Sequence, residues 1–565
     1  MLDLSRLTCL GEALRDAVLT FKTNVALIEA DRKKEKARFT YQQVHRAAER
    51  YASGLQAQGF EAGDRHAILM SNQSRWVLGG TGALWSGAVL VPLDYKLTAK
   101  EQAALLRHCA PKVLLTEWGT WRTLKDEDLP ASTRVIVSEA PQREDLAGAE
   151  RFEHVEGPSY TYRARLREDT ACIVYSSGTG GQPKGCMLTH GNYLAQASVL
   201  GTMYPLEECD RYFSVLPTNH AIDFMCGFIV PLQFGAAVVH QRTLRPQFLG
   251  PTMKRYDVTH MALVPMLLKK FEEKIREKLD ELPAWQRSVV DGLMVVNEAA
   301  TRKKPNHGLS SKLLKPIHAE FGRLKLMFCG GAFVDRETAE FFYKLGLPVA
   351  IGYGLTEACT VLTVNDLEPF RGDTVGTPVT GVEIEIRNEN DEGVGEVWAK
   401  GPTVMKGYLD EPALTAESIV DGWLRTGDLG LVDASGHLKL LGRTKNMIVT
   451  EGGKNVYPED IEAAFDGLDG AEEICVFAAN YVWPASTMVG EQLMLVVRAE
   501  ADADMDELLG AIARKNRRLA DFKRLSGYVL WDEEFPRTAS MKLKRLVLKQ
   551  QLEKGPSRDE ALVSF

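Results

Sequence analysis

A chain of 565 residues is too long for one hydrophobic core and predicts roughly two to four packed units. With 45% apolar and 25% charged residues it reads as an ordinary globular protein, and its formal charge of −8 argues against nucleic acid as a partner. Nine scattered cysteines without a CxxC pair exclude a disulfide framework or zinc site and read as reduced thiols of a cytoplasmic protein.

The opening "MLDLSRLTCLGEALRDAV" carries acidic residues and lacks a long apolar run, so it does not read as a signal peptide. Next comes "TYQQVHRAAERYASGLQAQG", a helical pattern, followed by the β-like runs "HAILM", "AVLVPL" and "KVLLT". This alternation predicts α/β layering with largely parallel sheets. The most membrane-like stretch, "VLGGTGALWSGAVLVPL" (77–93), has several glycines and is short for a spanning helix; it reads as a buried helix running into a strand.

"IVYSSGTGGQPKGCMLTH" (173–190) places a glycine-rich loop behind a strand-like run and ahead of "GNYLAQASVLGTMY", a helical pattern. Such loops bind phosphate because bare backbone N–H groups converge on oxygens while hydroxyls and a lysine add donors and charge. Ser176, Ser177, Thr179 and Lys184 supply the polar groups; Gly178, Gly180, Gly181 and Gly185 supply the freedom. Lys184 follows Pro183 and precedes Gly185, so no GK[ST] exists and the loop is not a P-loop of the kinase or ATPase type.

Further on, Leu267, Phe271, Ile275 and Leu279 fall four apart and predict an amphipathic helix. Residues 301–325 carry seven Lys/Arg against one Glu. They read either as a solvated basic loop or, over 299–325, as a peripheral contact with an anionic membrane surface. After residue 380 the texture changes to short strands and glycine-bearing turns. A compact α+β pattern begins near 445, with "EICVFAAN" and "QLMLVVRA" as strands and "ADMDELLGAIARKN" as a helix.

"SSGTGGQPKG" resembles the phosphate loop of the adenylate-forming superfamily, which includes acyl-CoA synthetases, firefly-type luciferases and peptide-synthetase adenylation domains. "GYGLTEA" (352–358), "GWLRTGDLG" (422–430), "GRTKNMIVTEGGKNVYPEDIE" (442–462) and "PRTASMKLKR" (536–545) also resemble that family, in the order it requires. The resemblance implies an α/β fold. A large N-terminal domain of layered sheets and helices would cover 1–443, with a β-rich subdomain over 380–443, followed by a small mobile α+β domain over 444–565. It implies activation of a carboxylic acid by ATP through an acyl-adenylate, with release of pyrophosphate. Thiol attack then gives a thioester and AMP.

By the same resemblance Lys542 stabilises the charge that develops as carboxylate meets α-phosphate. Glu357 holds Mg²⁺, a hard cation suited to oxygen ligands, and Thr356 touches the α-phosphate. Tyr353, followed by Gly354, stacks on adenine against a wall formed by "CGGA", with Gly330, Gly331 and Ala332. Asp428 accepts from the ribose hydroxyls with Arg443 assisting. Lys445 marks the interdomain hinge, and Gly452, Gly453 and Lys454 line the passage of a pantetheine arm. His220 gates the acid. Three positions depart from the family pattern: Gly180 where a Thr is common, Ile351 where many members place an amide, and Met541 where Gly usually precedes the lysine.

Around "LPTNHAIDFMCGFIVPL" (216–232), Phe224, Met225, Phe228 and Ile229 favour a medium- to long-chain fatty acid, and the chain most resembles long-chain fatty acyl-CoA synthetases. Residues 514–545 hold ten Lys/Arg and four acidic residues, enough to attract the phosphates of CoA or an acidic acyl carrier protein. Two alternatives stand beside a fatty acid–CoA ligase using ATP, Mg²⁺ and CoA. One transfers the acyl group to a carrier protein, and the other is a weakly active acyl-adenylate-binding homologue.

Overall fold

The computed structural model describes residues 4–176, 184–449, 455–483, 492–538 and 541–565. They fall into two compact units. The first holds most of the chain up to Ile384 together with Ala399–Leu424; the second holds Glu385–Trp398 and the chain from Arg425 onward.

Two large sheets build the first unit. One has nine strands, with Val25–Asp31, Ala237–Gln241, Arg211–Ser214, His260–Leu263, Leu326–Gly330 and Val349–Tyr353 running parallel. Antiparallel strands close both edges. The other has eight strands. Thr170–Ser176, Val89–Pro92, Arg65–Leu69, Val113–Glu117 and Arg134–Ser138 are parallel, and Lys184–Thr189 and Gly407–Tyr408 are antiparallel. Their strands are apolar on both faces, as sheets covered by helices require.

The helix Tyr41–Ala57 starts where the sequence predicts it, because Thr40 and Gln43 form a reciprocal capping box. The stretch 77–93 is a buried helix, Ser74–Trp85, feeding the strand Val89–Pro92. Leu267, Phe271 and Ile275 lie on the helix Pro265–Asp280 and pack on the core.

Two local readings change. The glycine-rich loop does not lead into a helix: the strand Lys184–Thr189 intervenes, and only then does the helix His190–Met203 begin under a Thr189 cap. Buried Cys186 and Leu188 on alternate positions explain the strand. The basic segment is not a loop but two short helices, His307–Leu313 and Lys315–Phe321, the second opening on Pro316.

In the second unit Ala471–Ala478, Leu493–Ala499, Gly527–Leu530 and Val563–Ser564 form a four-stranded sheet. Buried Leu508 and Ile512 of the helix Met505–Arg518 join one core cluster with it, and Leu548 and Leu552 of Arg545–Lys554 join another.

Candidate active site

Parallel strands deliver their carboxyl ends to one place, and in α/β sheets that is where ligands bind. The strand Thr170–Ser176 ends on Ser176, whose antiparallel partner is Lys184. Ser177, Gly178, Thr179, Gly180 and Gly181 lie outside the described residues. The strand Val349–Tyr353 ends on Tyr353, and a short 3-10 turn, Thr356–Ala358, follows at once. These two strand ends meet at Glu357. Ser176 Oγ donates to Glu357 Oε1 at 3.1 Å, and the Tyr408 hydroxyl donates to the same oxygen at 3.0 Å. Lys184 Nζ stands 5.4 Å from the centre of the Tyr408 ring, a cation–π contact. Burial and then the Glu357 charge push the Tyr408 hydroxyl well above its usual range, so it stays a proton donor.

Glycine is required at two points of this turn. A Cβ on Gly354 would lie 2.0 Å from the Thr360 carbonyl oxygen, and one on Gly330 would lie 2.6 Å from that of Gly352. Gly330 is paired with Gly352 across neighbouring strands. Tyr353 is buried, while Gly354, Thr356 and Glu357 are half-buried. Ile351 presents no free backbone N–H: that group donates to Asn365 Oδ1 at 2.7 Å, and the Ile351 carbonyl accepts from Asn365 N at 2.9 Å.

His220 caps a short helical turn, Ala221–Asp223, that runs into a π-helix over Phe224–Ile229. The Thr360 hydroxyl donates to the Ala221 carbonyl at 3.1 Å, tying this turn to the Glu357 turn. Phe224, Met225, Phe228 and Ile229 are fully buried, and Phe224 and Phe228 stack edge-on against Trp76. They fill the core. Asp223, inside the same stretch, is buried too. Its carboxyl accepts from Ser214 Oγ (2.8 Å), Thr218 Oγ1 (3.0 Å) and the Tyr212 hydroxyl (3.3 Å). Burial outweighs these donors and raises it to about 7.

The second unit carries the remaining groups. Asp428 and Arg443 are antiparallel partners, and Arg443 Nε lies 2.9 Å from Asp428 Oδ1. Lys542 sits in a tight loop: Thr538 N donates to its carbonyl (2.8 Å), and its own N–H donates to Thr538 Oγ1 (3.1 Å). Met541 adopts φ +64, the left-handed conformation that glycine takes at least cost, so the substitution keeps the glycine geometry. Arg537 fixes this loop, donating to the Met541 carbonyl at 2.8 Å and through Nε and Nη2 to Glu473 Oε1 at 2.9 and 2.6 Å. Just beyond, half-buried Arg545 donates to Glu462 and to the Val476 carbonyl. Gly452, Gly453, Lys454 and the Lys445 side chain lie outside the described residues.

Tyr408, Arg537, Glu473 and Asp223 were not expected from the sequence. Tyr408 lies about fifty residues past Glu357 in an unremarkable "KGYLDEP", with no local signal. Asp223 had one: a lone acid inside an apolar run implies a buried carboxyl.

The chain belongs to the AMP-binding enzyme family, whose pattern matches residues 14–409. It is 29% identical to 3-[(3aS,4S,7aS)-7a-methyl-1,5-dioxo-octahydro-1H-inden-4-yl]propanoyl:CoA ligase of Rhodococcus jostii over 96% of this chain and 99% of that one. It is 30% identical to long-chain-fatty-acid–CoA ligase FadD15 of Mycobacterium bovis over 73% of this chain and 70% of that one. Its fold matches a benzoate CoA ligase from Burkholderia xenovorans with a TM-score of 0.76 at 21% identity, covering 96% and 100% of the two chains.

Proposed function

We propose that this protein is an AMP-forming acid–CoA ligase that activates a fatty acid of medium to long chain. The carrying observation is that Glu357 accepts from both Ser176, 181 residues earlier in the chain, and Tyr408, whose ring in turn carries the Lys184 ammonium.

The acid carboxylate attacks the α-phosphorus of ATP; the bond to the bridging oxygen breaks and pyrophosphate leaves, giving the acyl-adenylate. Two anions must approach, so the chain has to supply positive charge and fixed donors. Lys184 and the loop from Ser176 to Lys184 hold the departing phosphates, and Lys542 meets the charge at the attacked phosphorus. Glu357, a half-buried carboxylate oriented by two hydroxyl donors, fits Mg²⁺, which when bound would neutralise phosphate oxygens. Tyr353 and the Gly330–Ala332 edge hold adenine; Asp428, steadied by Arg443, accepts from the ribose hydroxyls. His220 orients the acid. In the second half-reaction the CoA thiolate attacks the adenylate carbonyl and AMP leaves. We place the junction between the large and small domains at 443/444, with Lys445 as its hinge. Rotation there withdraws Lys542 and presents Gly452, Gly453 and Lys454 to the pantetheine arm.

The long-chain-fatty-acid–CoA ligase of Mycobacterium bovis supports the fatty-acid reading. A second reading, a propanoate carried on a fused ring system, is favoured by the Rhodococcus ligase because that match runs nearly end to end. The test measures AMP and thioester formation for straight-chain acids of increasing length and for an indanyl propanoate. Each acid is assayed with CoA, with an acyl carrier protein, or with neither. The proposal expects CoA-dependent thioester with a fatty acid. Preference for the ring acid would move the substrate, carrier-only transfer would move the acceptor, and no acid-dependent pyrophosphate would overturn the ligase reading.

A further inference from the structure

The helix Ala284–Thr301 has two opposed faces. Its inner face, with Met294, Asn297 and Thr301, is buried. Asn297 donates to the Lys344 carbonyl and accepts from the Ser310 hydroxyl, which seats the helix and fixes His307–Leu313 beside it. The outer face is also apolar. Trp285, Val289, Val295 and Val296 are 68%, 53%, 64% and 53% exposed. At 100° per residue they share one arc with Gly292, Ala299 and Ala300, and Ser288 is the one polar side chain within it. Charged residues stay at the margins: Arg287 pairs with Asp280, Glu298 lies 3.8 Å from Lys344, and Asp291 faces the same flank as Arg287. Solvent-facing helix surfaces ordinarily carry Lys and Glu. An uncharged exposed arc centred on a tryptophan marks a contact surface.

Basic side chains adjoin that arc. Arg302, Lys303 and Lys304 follow the helix directly, and Lys312, Lys315 and Arg323 are exposed on or beside the two helices that come next. Lys304 pairs with Glu368. Arg302, Lys303, Lys312, Lys315 and Arg323 form no ion pair among the described residues. An apolar arc with tryptophan next to uncompensated positive charge is complementary to an anionic bilayer. The lipid tails accept the valines and the indole, while the headgroups accept the cations. A protein partner of matching chemistry would need both an apolar groove and an acidic rim, whereas a bilayer offers both at every point.

We propose that the outer face of Ala284–Thr301, together with Arg302 and Lys303, docks this protein peripherally on an anionic lipid surface. The inference is independent of which acid the active site takes. The purified full chain is sedimented with phosphatidylcholine vesicles, with and without phosphatidylserine, at low and high salt. Two variants are compared: Trp285→Ser/Val296→Ser on the arc and Arg302→Ala/Lys303→Ala beside it. All four side chains are exposed, so circular dichroism should show an unchanged fold. Binding is expected only with phosphatidylserine and should weaken with salt. Removing each basic residue should lower partitioning by about five-fold. The serine variant should lose binding at both salt concentrations. Failure to bind phosphatidylserine vesicles would overturn the proposal, as would wild-type binding by the serine variant. So would sedimentation equilibrium showing a dimer that the serine variant dissolves, because the arc would then serve a second copy of the chain.

Discussion

Asp223→Asn tests whether a buried carboxyl is held neutral beside the proposed acid site. In the folded chain this group sits at about 7, against 3.8 for the free side chain, because burial outweighs three hydroxyl donors. A raised acid binds its proton more tightly when folded, so its contribution is complete below 3.8 and disappears as pH rises through 7. Between pH 5 and 8 that loss amounts to about 2 to 3 kcal/mol for the wild type. Asparagine carries no charge at either pH, and the Ser214, Thr218 and Tyr212 hydroxyls can rotate to meet its amide. Five buried histidines act in the opposite sense. Burial lowers His66 to about 3, His190, His240 and His260 to about 4, and His318 in the same direction, so their contribution is lost as pH falls through and below the ordinary histidine range. They are common to both proteins and cancel in the difference. Urea unfolding of both chains at pH 5 and pH 8 is therefore the assay. The variant should gain about 2 to 3 kcal/mol on the wild type over that interval. Parallel pH profiles would show that Asp223 is ionised in the folded chain, and would refute the reasoning.

Glu357→Gln keeps the shape and acceptor of the side chain but removes its charge. Acid-dependent pyrophosphate release should fall about 100-fold, with the melting temperature unchanged, and titration with Mg²⁺ checks that the metal response is lost. Tyr408→Phe removes one of two donors to the same oxygen and should cost about ten-fold or less in the same assay. Gly354→Ala would drive a methyl group into the Thr360 carbonyl and should destabilise the chain by about 3 kcal/mol, read as a lowered thermal midpoint. At Met541 glycine should be neutral within about 0.5 kcal/mol, since relief of left-handed strain offsets the freer unfolded chain. Met541→Val, β-branched at φ +64, should destabilise the small domain by about 1–2 kcal/mol in urea unfolding.

The α/β layering was legible because its strands are short apolar runs and its helices carry period and caps; Thr40 and Gln43 marked one start to the residue. The strand Lys184–Thr189 was not, since six residues beside a glycine-rich loop give a period-2 pattern too short to outweigh the helix that follows. In the basic segment the run of charge suggested a loop, yet charge does not exclude a helix, and Pro316 in the first turn of Lys315–Phe321 suits a helix start. Glu357 was legible through its motif, while its partner Tyr408 was not, because the pairing depends on an antiparallel contact between Gly407–Tyr408 and Cys186–Met187. Phe224 and Phe228 carried the right composition for an acyl pocket but pack on Trp76. Composition alone does not separate a pocket wall from a core.

In the proposed reaction a carboxylate is joined to AMP before any thiol takes part, and Lys542 serves that step alone. The most direct test is acid-dependent ATP–pyrophosphate exchange in the absence of CoA, by the wild type and by Lys542→Ala, beside thioester formation from supplied acyl-adenylate and CoA. Exchange is expected from the wild type, with a loss of at least 100-fold in the variant and near-normal thioester formation by both. No exchange with any acid, or equal loss of both half-reactions in the variant, would contradict this reading.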